Sequence, residues 1–123
     1  MLSKEERLRK NSEFRSTYRI SKSVANSLFV LYTGRFDSNN QLPRVGFVVT
    51  KKIHKSSVKR NRIKRIAREA YKKFKTNNPE KVTKWRNLIF IARDGALNMD
   101  FQACYDNIEN CINKANCKFI KTP

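Results

Sequence analysis

Acidic residues are scarce in this 123-residue chain: 10 Asp and Glu stand against 28 Lys and Arg, a formal charge of +18. Glycine and proline number three each, and there is a single histidine, His54. Each shortage excludes a class of chemistry. Three scattered glycines cannot form a Gly-rich phosphate loop. No serine or cysteine stands in a His/Asp relay, and no Cys-x-x-Cys pair offers half of a zinc site. The three cysteines, Cys104, Cys111 and Cys117, are odd in number. On a helix Cys104 and Cys111 would lie about 10.5 Å apart along the axis, beyond disulfide reach, so free thiols in a reducing cytosol are expected. Asp94, Asp100 and Asp106 are evenly spaced, but a strand end and a helix do not converge them on a metal by spacing alone. Apolar runs reach only about five residues, Leu28–Tyr32 and Leu88–Ala92, where a bilayer span needs ~20. Charges also occupy Met1–Lys10, where a secretory signal would be apolar. The expectation is a cytoplasmic protein with no membrane partner, no catalytic or metal-ligating residues and no cofactor of its own.

What remains is enough for one domain, 1–123, with residues 1–10 and 116–123 expected as flexible ends. Residues 11–19 read as a short helix, with Asn11 or Ser12 as its N-cap and Phe14 and Tyr18 on one face. Residues 27–34 and 44–50 read as strands joined by the polar loop 37–43, most simply as an antiparallel hairpin. In 57–75, Ile63, Ile66, Ala67, Ala70, Tyr71 and Phe74 follow the spacing of an amphipathic helix, which Asn77-Asn78-Pro79 ends. Residues 87–92 form a strand after Trp85. A last helix runs from about Asn98 or Asp100 to Ala115, with Phe101, Cys104, Tyr105, Ile108, Cys111, Ile112 and Ala115 on its apolar face. The order α-β-β-α-β-α, with room for one more short strand near 22–26, predicts an α+β fold of one sheet with helices packed on it.

Charge is concentrated in one place. From Lys51 to Lys75 there are twelve basic residues and one acid, Glu69. A solvated helix face usually mixes signs and gains i,i+4 ion pairs; this one forgoes nearly all of them. Asn61, Arg65, Arg68 and Lys72 share one side of the helical wheel, opposite the apolar arc. Guanidinium forks match phosphate oxygens, and Asn61 can donate and accept toward a base edge or a 2′-hydroxyl. The pattern is the electrostatic footprint of a nucleic-acid binder. Phe14, Tyr18 and Tyr32 have two readings. They are core residues, or they form a stacking platform for unpaired bases on a sheet face left open, since a strand sends Phe29 and Tyr32 to opposite faces.

The segment Lys59-Arg60-Asn61-Arg62-Ile63-Lys64-Arg65-Ile66-Ala67-Arg68-Glu69-Ala70-Tyr71 resembles the Arg-Asn-Arg helix of the protein subunit of bacterial ribonuclease P. Lys10–Phe14, Ser23–Asn26, Phe29–Tyr32, Arg44–Lys52 and Ile89–Arg93 recur in the family's order, so the resemblance spans roughly residues 7–112. It implies a two-layer α/β sandwich of order α-β-β-β-α-β-α with a left-handed βαβ crossover, similar to a ribosomal-protein domain. It also implies a partnership with the ribonuclease P RNA, which uses magnesium to cut the 5′ leader from precursor tRNA, with no obligate protein partner. In those terms Arg60, Asn61, Arg62, Lys64, Arg65 and Arg68 face the catalytic RNA, and the stripe adds Lys72. Phe14, Tyr18, Val30, Tyr32, Val49 and Lys51 line a cleft for the single-stranded leader. One segment departs from the pattern: His54–Lys59 lacks the family's Gly and is one residue longer. A ribosomal-type RNA binder and a metal-dependent nuclease using Asp94 or Asp100 are the alternatives that the residues leave open.

Overall fold

The computed structural model describes residues 7–8, 11–20, 22–34, 43–83 and 85–119. In chain order these form α1 (Asn11–Ile20), β1 (Lys22–Ala25), β2 (Phe29–Thr33), β3 (Arg44–Val48), α2 (Ser57–Asn77), β4 (Asn87–Ala92) and α3 (Phe101–Phe119), with single 3-10 turns at Pro79–Lys81 and Asp94–Asn98. The fold is α+β, with the short strand near 22–26 present as β1.

The sheet order is β1-β2-β4-β3. β1 and β2 form the hairpin, closed by Asn26, whose Oδ1 accepts from the amides of Leu28 (3.1 Å) and Phe29 (2.9 Å). Such an Asx turn supplies locally the acceptor that a tight reversal needs. The hairpin expected between β2 and β3 does not exist. β4 lies between them, antiparallel to β2 and parallel to β3. The reason is the composition of β4: Leu88-Ile89-Phe90-Ile91-Ala92 is apolar at every position, and a strand with no polar face belongs in the middle of a sheet. A β2–β3 hairpin would put it at an edge. β3, α2 and β4 therefore make a parallel crossover. Of the polar loop expected at 37–43, only Pro43 lies within the described residues.

Alternation sorts the strands into two faces. Phe29, Leu31, Val45, Phe47, Leu88 and Phe90 point to one, where α2 and α3 cover them. Phe90 is the hub, with rings of Phe29, Phe47 and Tyr71 at 5.8, 5.4 and 6.1 Å. α2 buries Ile63, Ala67, Ala70, Tyr71 and Phe74, the apolar arc read from the spacing except for half-buried Ile66. Ser56 caps its start and Asn78 its end, where the Asn78 amide donates to Phe74 O. α3 buries Cys104, Ile108, Cys111, Ile112 and Ala115, with Asp100 Oδ1 accepting from Ala103 N at its start.

Both expected flexible ends are partly tied down. Leu8 is buried and donates its amide to Val45 O. α3 continues through Phe119 because Trp85 holds it: Trp85 Nε1 donates to Asn116 Oδ1 at 2.8 Å, and the Phe119 ring packs 6.2 Å away. At the other end of the chain, α1 already includes Asn11 and Ser12, so neither is the residue that precedes its first turn.

Candidate nucleic-acid interface

The second face of the sheet carries Val30 and Tyr32 from β2, Ile89 and Ile91 from β4, and Gly46 and Val48 from β3. Only α1 lies on it. Phe14 sits over Gly46 so closely that a Cβ there would fall 2.7 Å from its ring. One turn on, Thr17 is buried and its hydroxyl accepts from Asn87 Nδ2. α1 thus runs from the middle of the sheet toward the Arg44–Asn87 end and fully buries Ile89 beneath it. The rows beyond, Val30, Ile91 and Val48, are only half-buried.

This arrangement makes a cleft between α1 and an apolar shelf. Tyr18 meets Tyr32 edge to face at 5.0 Å, and Phe14 lies 6.4 Å from Tyr18. All three rings are half-buried. Burial, and secondarily Tyr32, raises the Tyr18 phenol above its ordinary value, so it stays a neutral donor. Lys51 is exposed in the turn closed by Ile53 N to Thr50 O, past the open end of the shelf. Of the residues expected to line the cleft, Val49 does not. It is 8% exposed and belongs to the core under α2 and α3. Alternation sends Val45, Phe47 and Val49 one way and Gly46 and Val48 the other. Val48 and Ile91 are the shelf residues that the sequence reading passed over, although the parity of β3 carried the signal for the first.

The basic helix starts at the same end, because β3 leads into α2 through only eight residues. Asn61, Arg62 and Arg65 are exposed, and Lys64, Arg68 and Lys72 partly so. Arg60 behaves differently. Its Nη1 turns back to donate to His54 O and Lys55 O, both at 3.1 Å. The loop without the family's glycine is thereby closed by side chains. His54 Nδ1 accepts from Ser56 N at 3.0 Å, Ser56 Oγ accepts from Lys59 N at 3.4 Å, and Arg60 clamps the carbonyls. Arg60 therefore braces the helix start with the group expected to face RNA, and the sequence holds no signal that separates it from Arg62. Val58, 76% exposed, stands among these cations.

Two of the three acidic candidates are held in local hydrogen bonds. Asp94 opens a 3-10 turn, Asp100 caps α3, and Asp106 accepts from Gln102 Nε2. Among the described residues no three His, Cys, Asp or Glu side chains gather to hold a metal, and no helix is long and apolar enough to cross a membrane.

A four-stranded α+β body with a one-sided basic helix and an aromatic cleft at its head defines a class, the small basic proteins that pair with polyanions. Comparison with known proteins narrows it. The sequence model of the family described as Ribonuclease P matches residues 2–116, and the chain belongs to that family. It is 38% identical over 114 residues to the ribonuclease P protein component of Clostridium novyi, covering 93% of this chain and 96% of that one. Among solved structures it is similar to the Staphylococcus aureus RNase P protein, with a TM-score of 0.74 and 33% identity over 89% of this chain and 94% of that chain. The RNase P protein of Thermotoga maritima matches with a TM-score of 0.68 and 27% identity, covering 85% and 93%. The protein is thus a ribonuclease P protein component, and membership of that family implies an RNA partner.

Proposed function

We propose that this chain, working in the cytoplasm, supports removal of the 5′ leader from precursor tRNA by binding the ribonuclease P RNA and the leader at once. It raises substrate affinity and lowers the magnesium requirement. The catalytic groups and their magnesium ions belong to the RNA, and neither a cofactor of the protein's own nor a further protein partner is needed. The observation that carries this reading is the cleft of Phe14, Tyr18 and Tyr32. It opens at the end of the sheet where Lys51 and the first turns of the basic helix lie. Three half-exposed rings offer stacking surfaces that accept any base, which suits a strand whose sequence varies between substrates. The stripe of Asn61, Arg62, Lys64, Arg65, Arg68 and Lys72 matches phosphates. The two surfaces share one end of the molecule, so the ribonuclease P RNA on the helix and the precursor's leader in the cleft are held side by side.

The test is cleavage of a 5′-extended precursor tRNA at low magnesium, with protein alone, catalytic RNA alone, and both together. Cleavage only in the mixture is expected. Cleavage by protein alone would make the chain a nuclease, and no effect of the protein would favour a ribosomal-type RNA binder. Binding to the RNA should also be steeply salt-dependent. Neutralising ~5–8 phosphates lowers affinity about 10²–10⁴-fold between 50 and 200 mM salt.

A further inference from the structure

A second aromatic and cationic surface lies on the opposite side of the molecule from the cleft, where the end of α2 meets the start of α3. Phe74 is fully buried, Tyr105 packs on it at 6.0 Å and is half-buried, and Phe101 stacks on Tyr105 with planes 27° apart and centroids at 6.5 Å. The series runs from core to solvent and stops at Phe101, which is 38% exposed. Phe101 and Val58 are the exposed large hydrophobic residues among those described. Lys73 stands over both outer rings, its Nζ 5.6 Å from the Phe101 centroid and 6.0 Å from that of Tyr105. Asn77, one turn further along α2, donates from Nδ2 to the Tyr105 hydroxyl at 3.4 Å.

We infer that this surface is a second RNA contact, on which an unpaired nucleotide of the ribonuclease P RNA stacks against Phe101 with its phosphate at Lys73. The inference rests on RNA being the partner of the basic helix. Three features favour it. An aromatic ring flanked by a lysine has the two groups that an unpaired nucleotide needs, a π-face and a cation. The site borders the basic side of the helix: Lys73 is about 100° around from Lys72, at the margin of the apolar arc, and lies eight residues past Arg65, about 12 Å along the axis. Lastly, the charge of +18 disfavours a second copy of this chain as the occupant. Glu69, one turn before Lys73, is the sole acid of α2. The rings on the closed side of the sheet have no such access, and the cleft rings lie across the sheet, so a base at Phe101 is a separate anchor from the leader.

The experiment uses the full chain and an in-vitro transcript of a bacterial ribonuclease P RNA. In F101W the new indole should be quenched on titration with the RNA, whereas buried Trp85 in the wild type should not respond. F101L should bind the RNA about 5- to 50-fold more weakly, with an unchanged salt slope because no charge is lost. K73Q should weaken binding and flatten the slope by about one phosphate. Substitution of Arg65 by alanine serves as the control that reports the basic helix alone. If R65A weakens binding while F101L binds as the wild type and F101W is not quenched, this inference fails and the helix assignment stands. If the wild type does not bind the RNA, both fall. An F101W signal that follows protein concentration without RNA would assign the surface to a second copy and overturn the inference. F101W keeps a ring at the site, so it remains informative even if F101L folds poorly.

Discussion

The two faces of the sheet are made from the same strands and nearly the same residues, yet they do opposite things. Phe29 and Phe90 on one face are sealed by α2 and α3, while Tyr32 and Ile91 on the other are only half-covered, because α1 is ten residues long and lies over one end. Alternation supplied apolar side chains to both. The number of helices that cross each face decided which became core and which stayed half-open. An apolar strand residue is therefore neither a core residue nor a ligand contact until its cover is known.

The contrast can be broken most directly at Phe90. Phe90→Ala removes the hub of the sealed face and should cost about 3–5 kcal/mol in chemical denaturation. A cost under about 1 kcal/mol would mean that face is not closed. On the open face, Tyr32→Ala should be much milder in stability but should weaken binding of leader-bearing precursor by about 1–3 kcal/mol, or roughly 5- to 150-fold. Affinity for a precursor with no leader, measured in parallel, should stay unchanged; equal losses with both substrates would remove Tyr32 from the cleft.

Gly46 sharpens the comparison because it sits under α1. The added Cβ of Gly46→Ala would press on the tip of the Phe14 ring, at 2.7 and 2.9 Å. A ring tip can swing, so stability should fall by only about 1 kcal/mol, while leader-length dependence should change because Phe14 has moved. A variant with intact leader dependence would show that the position of Phe14 does not matter to the cleft. The last test concerns the sealed face at high pH. Burial pushes the thiols of Cys104 and Cys111 up to about 12 and about 11, the latter partly offset by Lys114. In the unfolded chain they ionise near 9, the unperturbed value. Their contribution to stability is thus complete below that pH and is lost as pH rises through 9 toward 11–12. Thiol labelling at neutral pH should modify exposed Cys117 in the native protein and all three cysteines in denaturant; rapid native labelling of Cys104 would show an open core.

Much of this was legible in the chain and some was not. The long helix Ser57–Asn77 was readable to within two residues, because six apolar positions at helical spacing and a terminal Asn-Asn-Pro leave little alternative. The strand cores at 29–33, 44–48 and 87–92 were readable for a similar local reason. Strand order was not, since adjacency in sequence favours a hairpin and only the need to bury both faces of β4 overrides it. The extension of α3 to Phe119 depended on Trp85, over thirty residues away, and the inward turn of Arg60 on carbonyls of a loop whose shape no motif describes. Val49 was misplaced by one residue of parity, which suffices to move a side chain through a sheet.

Sequence by itself determined the charge of +18, its concentration between Lys51 and Lys75, the run of helices and strands, and the family pattern around Arg60-Asn61-Arg62, because each is a local or compositional property. Tertiary structure alone decided that β4 separates β2 from β3, that Tyr32 meets Tyr18 across a half-open face, and that Phe101 is left at the surface beneath Lys73. Those outcomes follow from how three helices are shared between two faces of one sheet, and no stretch of the chain encodes that division on its own.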